Sequence, residues 1–142
     1  MEALPEHGSC FVCGKTNPHS IGVVWHREPD GWIETRLAFS IYQQGSSGLV
    51  HEGALAAVLV EAMRTAVWQA GYRVTTACLE LDYRKPVPIG EEIRVVGRLF
   101  AEGIDSVTSR GDIYLSDGTI AVEAHASYAL ELHIDEEIRG HH

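Results

Sequence analysis

The sequence predicts an α+β fold in which one long helix packs against an antiparallel sheet of about six strands. Residues 52–70 carry apolar side chains at spacings of three and four, which is the period of an amphipathic helix. Apolar and polar residues alternate in two stretches before this segment and in four stretches after it. Turn signals separate neighbouring stretches, so successive hairpins and a largely antiparallel sheet are expected.

The composition limits the classes of protein that fit. With 142 residues, a hydrophobic fraction of 45% and a net charge of -9, the chain suits one folded domain rather than a disordered chain. No run of about 18 apolar residues occurs, so no membrane association is expected. The acidic balance disfavours nucleic acid as a partner. Three cysteines are an odd number, and the N-terminus is acidic without an apolar signal core, which favours a cytoplasmic location.

The first part of the chain predicts an arm and two strands. Residues 1–20 are rich in turn-forming residues and predict an irregular arm, followed by a single domain over residues 21–142. Residues 21–28 and 32–39 are predicted strands, joined by a Pro-Asp-Gly turn. Residues 42–49 contain two glycines and two serines and predict a loop.

The helix over residues 52–70 ends before Gly71 and is expected to be about 28 Å long. It has few polar positions, so we expect the sheet to wrap around it. Alternation after the helix predicts four more strands, the last two joined by an Asp-Gly hairpin turn, over residues 75–84, 93–99, 107–115 and 120–132.

Two cysteines in the arm, Cys10 and Cys13, have the spacing of half a zinc motif. Tetrahedral zinc needs four ligands, and His7, His19 and His26 lie nearby without forming a second regularly spaced pair. No βαβ pattern follows, which disfavours a redox motif. The expected role is therefore a packed pair of small apolar thiols, with no metal.

Four segments appear in an order that resembles the hotdog-fold acyl-CoA thioesterase superfamily, in particular its phenylacetic-acid-pathway and 4-hydroxybenzoyl-CoA thioesterase-like branch. They read CFVCG from residue 10, GLVHEGAL from residue 48, VLVEAM from residue 58, and YRKPVPIG from residue 83. The resemblance spans about residues 10–132. It implies that the central helix is wrapped by a curved sheet.

The resemblance also implies an assembly and a substrate. Subunits of the family pair into a continuous sheet, as homodimers or dimers of dimers, with active sites at the interface. The implied substrate is an acyl thioester, with coenzyme A as part of the substrate and no separate cofactor. A backbone N–H at the start of the helix would stabilise the developing oxyanion. By this resemblance His51 positions the substrate, and Gly53 with the amides of residues 52–54 supplies the donors.

Three positions depart from the family pattern. The family carries a catalytic carboxylate nine residues after the motif histidine, where this chain has Val60, which cannot accept a proton. Glu61 is next in sequence and is the first candidate for the general base. It points about 100° around the helix from Val60, so it could serve only if the helix is rotated or the partner subunit's pocket curls around it. Glu52 replaces a glycine at the helix start and is the second candidate. Arg64 stands where the branch often has a small residue.

The predicted substrate-binding residues are Gly48, Val60, Arg64, Tyr83, Arg84 and Lys85. Basic side chains among them would bind coenzyme A phosphates or a substrate carboxylate, together with Arg73, Arg94 and Arg98. Each has a structural alternative. Surface charges are usually solvated, Glu61 can form an ion pair or lie in an interface, His51 can contact the 45–48 loop, and free amides occur at every helix start.

The sequence therefore favours hydrolysis of an acyl-CoA or other acyl thioester at a subunit interface. Val60 and Arg64 favour an alternative, a protein of the same fold that binds acyl-CoA or a small acid without catalysis. A structural or interaction protein is a third possibility. The acyl group, the carrier and the choice between dimer and tetramer stay open.

Overall fold

The fold is described for residues 2–5, 8 and 10–131 of a computed structural model. The elements in chain order are β1 (Glu2–Ala3), β2 (His26–Arg27), β3 (Ile33–Leu37), a short 3₁₀ helix (Ile41–Gln43), α1 (Glu52–Gln69), β4 (Val74–Tyr83), β5 (Ile93–Glu102), β6 (Ser106–Tyr114) and β7 (Ile120–Leu130).

The described strands form one antiparallel sheet in the order β1-β2-β3-β5-β6-β7-β4. One long helix packs against this sheet, so the predicted α+β class with an antiparallel sheet of about six strands is confirmed. A seventh strand, β1, adds two residues of the N-terminal arm beside β2. The arm composition did not predict it, because a two-residue strand has no alternation to detect.

The first predicted strand is the element that differs most from expectation. Residues 21–28 form a strand only at His26–Arg27. Upstream, the backbone amides of Ile21 and Val23 donate to the carbonyls of Phe11 and Val12, both at 2.9 Å. The segment therefore pairs with the arm instead of the sheet. The last predicted strand extended to residue 132, which lies outside the described residues.

The helix α1 crosses the sheet over β5 and β6, and apolar side chains of its inner face are buried. Val58, Leu59, Ala62 and Met63 are each 0% exposed. Burying side chains of this size removes them from water and supplies the main stabilisation of the fold. The helix positions predicted from the three-and-four spacing are therefore the core positions.

Strand β4 lies at the edge of the sheet and pairs on one side with β7. Most of its residues are exposed, including Leu79 at 37% and Tyr83 at 38%. A ten-residue edge with apolar side chains is a surface that other chains can pair with. Within the described residues, no helix has the length and apolar character needed to cross a membrane.

Candidate active site

A cleft of about 740 Å³ opens at the N-terminus of α1. Parts of the 45–50 loop, the first turn of the helix and residues 83–87 line it. Backbone hydrogen bonds join its walls, since the Val50 amide donates to the Val87 carbonyl at 2.8 Å and the Ile89 amide to the Gly48 carbonyl at 2.9 Å. The cleft therefore brings together segments that are far apart in sequence.

His51 is the N-cap of the helix. Its backbone is extended, and its Nδ1 accepts a hydrogen bond from the Gly53 N–H at 2.8 Å. The His51 carbonyl accepts from the Ala54 N–H at 2.9 Å. The predicted structural alternative for His51, a contact with the loop, also occurs, because its own amide donates to the Gln43 carbonyl at 2.7 Å and its Cα lies against Gly45.

The hydrogen bonds of His51 distinguish the three backbone amides that the sequence predicts as oxyanion donors. Gly53 and Ala54 both donate to His51, whereas the Glu52 N–H has no acceptor among the described residues. The first amides of a helix lack intrahelical partners and lie at the positive end of the helix dipole. The Glu52 N–H is therefore the donor at the helix start that is available to a ligand in the cleft.

Tyr83 connects the end of β4 to the helix start. Its hydroxyl donates to the Glu52 carbonyl at 2.8 Å. Burial raises the pKa of Tyr83, and the negative charge of Glu52 raises it further. The hydroxyl therefore stays protonated and keeps donating at neutral pH, so the two sides of the cleft stay joined.

Two predicted cations stand at the cleft, and they differ in their partners. The Arg84 Nε lies 3.0 Å from Asp82 Oδ2, and the same guanidinium pairs with Glu123. The hydrogen bond to Asp82 is the main cause that raises the pKa of Arg84. Lys85 is exposed and has no ion pair within the described chain. Lys85 is thus the cation that can accept an anionic ligand without losing a carboxylate partner.

The sequence model of the thioesterase superfamily, a protein family, matches residues 47–122, which is more than half of the sequence. The chain belongs to the thioesterase superfamily. The matched region contains α1, β4, β5, β6 and all of the cleft lining except Gly45 and Ser46. None of the curated proteins matches the chain.

Solved structures of thioesterases share the fold. A thioesterase-superfamily protein superposes with a TM-score of 0.83 at 28% identity, over 86% of this chain and 60% of that one. The chain therefore spans 60% of the length of this relative. PaaI of Escherichia coli, from the phenylacetic acid degradation operon, gives a TM-score of 0.71 at 12% identity, over 78% of this chain and 80% of that one.

A hypothetical thioesterase of Streptococcus pneumoniae, solved with coenzyme A, gives a TM-score of 0.70 at 16% identity, over 75% of this chain and 83% of that one. At such identities the likeness concerns the fold. The hotdog fold and the PaaI-like resemblance inferred from the sequence are confirmed.

The helix positions carried over from the thioesterase family lie outside this cleft. Val60 and Arg64 do not line it. Tyr128 of β7 shows where Arg64 lies. Burial raises the pKa of Tyr128, and its hydrogen bond with Ser109 and the nearby charge of Arg64 both oppose this rise. Arg64 is therefore close to β7, next to the edge strand. It is exposed and forms no ion pair within the described residues.

Glu61, the first candidate for the base, lies beneath the arm. Cys13 Sγ is 3.3 Å and Cys10 Sγ is 3.8 Å from the Glu61 Oε1 atom. Glu61 is not among the residues that line the cleft, whereas Glu52 is. The sequence showed that Glu61 and Val60 point in different directions, but it did not show that the arm folds back over Glu61.

The remaining predicted residues that the structure describes are also not part of the cleft lining. Gly48 forms the turn below it with a φ of 79° and does not line it. Arg94 pairs with Glu34, Arg98 lies 5.0 Å from the ring of Trp32, and Arg73 lies 6.0 Å from the ring of Trp68. His7 lies outside the described residues.

Proposed function

We propose that the protein hydrolyses an acyl-CoA thioester in the cleft at the N-terminus of α1. The observation that carries this proposal is the Glu52 N–H, a donor without an acceptor in the described chain, at the positive end of a helix inside a cleft of about 740 Å³. A fixed donor at that place stabilises the charge that develops on the thioester oxygen. Membership of the thioesterase superfamily supports this chemistry.

The two ends of the substrate match different parts of the cleft. Lys85 is a cation for the coenzyme A phosphates, which compensates locally for the net charge of -9. The side chains of Leu49, Leu55 and Val87 give the cleft an apolar part for the acyl group. The structure of the Streptococcus pneumoniae relative contains coenzyme A, which supports the choice of carrier.

Glu52 is our candidate for the general base, because it is the one acidic residue among the described residues that line the cleft. From there it can take a proton from the attacking water while its own amide binds the thioester oxygen. Glu61 is the alternative from the sequence. Its place beside Cys10 and Cys13 favours Glu52.

We also propose that the active unit is a homodimer, or a pair of such dimers, joined through the β4 edges. Antiparallel pairing of two β4 strands sets the end of one strand beside the start of the other. The end of β4 lies beside the start of α1, where Tyr83 contacts Glu52, so the helix and the strand run in opposite directions. The later half of one helix would then approach residues 83–85 of the other copy. Val60 and Arg64 would thereby reach the partner's cleft.

The test is release of free thiol from short, long and aryl acyl-CoAs. The substitution Glu52→Gln removes the carboxylate and keeps the backbone N–H, so kcat should fall by about 10²–10⁴-fold with KM little changed. The matched control is Glu92→Gln, an exposed glutamate outside the cleft, which should have unchanged activity. Full activity of Glu52→Gln would exclude Glu52 as the base, and no turnover of any thioester would exclude hydrolysis.

A second function, acyl-CoA binding without hydrolysis, is favoured by two observations. Val60 replaces the carboxylate that the family resemblance implies, and His51 occupies the Gly53 N–H. In that case coenzyme A would raise the melting temperature without thiol release. Val60→Asp would then introduce turnover that the native chain lacks.

A further inference from the structure

Two thiols and one carboxylate meet where the N-terminal arm crosses α1. Cys10 and Cys13 come from the arm and Glu61 from the middle of the helix. Their ligand atoms, Sγ, Sγ and a carboxylate oxygen, all lie within 4.8 Å of one another. Cys13 is buried at 3% exposure, while Cys10 and Glu61 are half-buried. Residues about 50 positions apart in sequence therefore converge on one point.

The spacing of these atoms matches that of ligands around one metal ion. Tetrahedral zinc, with Zn–S near 2.3 Å and Zn–O near 2.0 Å, holds a sulfur and an oxygen about 3.5 Å apart. The distances from Glu61 Oε1 are 3.3 Å to Cys13 Sγ and 3.8 Å to Cys10 Sγ. An ion can therefore replace the thiol protons with little movement of the three side chains.

The backbone between the cysteines is shaped as a chelating turn. The Val12 N–H donates to Cys10 Sγ at 3.4 Å, and the Gly14 N–H donates to the Cys10 carbonyl at 2.8 Å. A Cβ at Gly14 would overlap backbone atoms of Cys10 and Gly8, so this position requires glycine.

The turn is also fixed to the rest of the fold. The carbonyls of Phe11 and Val12 accept the backbone amides of Ile21 and Val23, both at 2.9 Å. Val12 is buried at 5% exposure in the core. Within the described residues, neither cysteine is part of a disulfide. The two sulfurs are therefore held toward Glu61 before any ion binds.

We propose that Cys10, Cys13 and Glu61 bind a structural Zn²⁺ ion that fastens the arm to α1. Each thiol releases its proton to solvent as a Zn–S bond forms, and the Glu61 carboxylate supplies the third bond without any change of oxidation state. A water or another donor completes the tetrahedron. Two thiolates with one carboxylate suit zinc, whereas calcium and magnesium prefer oxygen ligands alone. As a ligand, Glu61 would not be available as a base.

The first test measures metal in the full chain, purified without a metal-affinity column. We expect about one zinc ion per chain by inductively coupled plasma mass spectrometry. Cys10→Ser, Cys13→Ser and Glu61→Gln should each lose most of it. The control Cys78→Ser changes the exposed cysteine of β4 and should retain the zinc. If Cys10→Ser and Cys13→Ser both retained the zinc, the proposal would be overturned.

The second test does not depend on the variants folding. Wild-type protein is stripped with a chelator and titrated with Co²⁺, and thiolate-to-cobalt absorption bands in the near ultraviolet are expected. The melting temperature should fall on stripping and recover when Zn²⁺ is added. A titration without thiolate bands and without a change in melting temperature overturns the proposal.

An adventitious ion on the two C-terminal histidines is the main competing source of metal. The variant His141→Ala/His142→Ala addresses it, and we expect that variant to keep its zinc. Zinc lost from this variant and kept by Cys13→Ser would overturn the proposal. Because each readout is metal or stability, failure here leaves the thioesterase proposal intact, and the absence of hydrolysis leaves this one intact.

Discussion

Two facing glycines set the distance between α1 and the sheet. Gly97 on β5 and Gly111 on β6 are direct partners in the sheet register. A Cβ at Gly97 would overlap the backbone carbonyl of Ala62 on the helix. A Cβ at Gly111 would lie 3.0 Å from Met63 Cγ and 3.1 Å from Leu59 Cδ2, which are side-chain atoms, and 3.2 Å from the Val96 carbonyl oxygen. Backbone cannot yield as side chains can, so the two positions differ in tolerance.

We therefore expect Gly97→Ala to lower the free energy of unfolding by about 3 kcal/mol or more, since α1 must move. Gly111→Ala should cost about 1–2 kcal/mol, because two flexible side chains can adjust. Urea unfolding followed by circular dichroism measures both variants. Equal costs would show that the helix does not depend on close backbone contact at Gly97.

At the level of single residues, the sequence predicted the helix start but not its hydrogen bonds. It placed possible oxyanion donors at residues 52–54. Which amide is free depends on the side-chain rotamer of His51, and that rotamer is set by the Gly45 turn packed against it. The contact of Glu61 with Cys10 depends on the path of the arm, and no local pattern records that path.

The face of the sheet that points away from α1 carries a carboxylate whose negative charge destabilises the folded protein. Asp112 of β6 lies opposite Glu123 of β7. Burial raises the pKa of Asp112, and Glu123 raises it further, while Arg98, Arg110 and His125 partly offset both effects. The folded protein therefore holds this proton more tightly than the unfolded chain does. As pH rises from the unfolded pKa through the folded one, ionisation of Asp112 costs stability.

Removing this charge should stabilise the sheet at neutral pH. We expect Asp112→Asn to melt at a higher temperature than wild type at pH 7, with the difference shrinking as pH falls toward about 3.9, the ordinary pKa of aspartate. Thermal melts at several pH values measure this. The control is Asp117→Asn in the β6–β7 turn, where hydrogen bonds from Thr119 lower the pKa of Asp117.

The two variants should therefore differ in sign. A lowered pKa contributes stability above the unfolded pKa and loses it as pH falls, so Asp117→Asn should melt at a lower temperature at pH 7. If both variants shift in the same direction at pH 7, the electrostatic account of Asp112 is wrong.

Among the elements, those with long regular patterns were predictable. The helix, expected over residues 52–70, spans Glu52–Gln69, and the strands β4 to β7 follow the alternation. Residues 21–28 also alternate, yet most of them pair with the arm. Alternation reports that a strand-like segment has two different faces. It does not identify the backbone that accepts its hydrogen bonds.

For the whole molecule, the exposed β4 edge leads us to expect a particle of twice the 15.6 kDa chain mass, or a multiple of it, in light scattering. Antiparallel pairing of the edges would bring Arg64 of one copy to the cleft of the other. Each active site would then combine Glu52 from one chain with Arg64 from its partner. A monomer in solution at micromolar concentration would contradict this arrangement.

Mixing two inactive variants tests whether the sites are shared. Alone, Glu52→Gln should lose turnover, and Arg64→Glu should bind acyl-CoA poorly because a carboxylate replaces a cation beside the ligand. The two variants are unfolded together and refolded. Each mixed dimer then has one cleft that carries both substitutions and one cleft that carries neither. Random pairing makes half of the dimers mixed, so roughly a quarter of all sites should recover wild-type kcat and KM.

If Arg64 acted on the cleft of its own chain, every site in the mixed dimer would carry one change, and no activity would return. If Arg64→Glu alone kept wild-type kinetics, Arg64 would have no part in substrate binding. The control mixes each variant with itself by the same refolding procedure. Recovery in the mixture alone would mean that one 142-residue chain supplies only part of each active site, because substrate would then contact two chains at once.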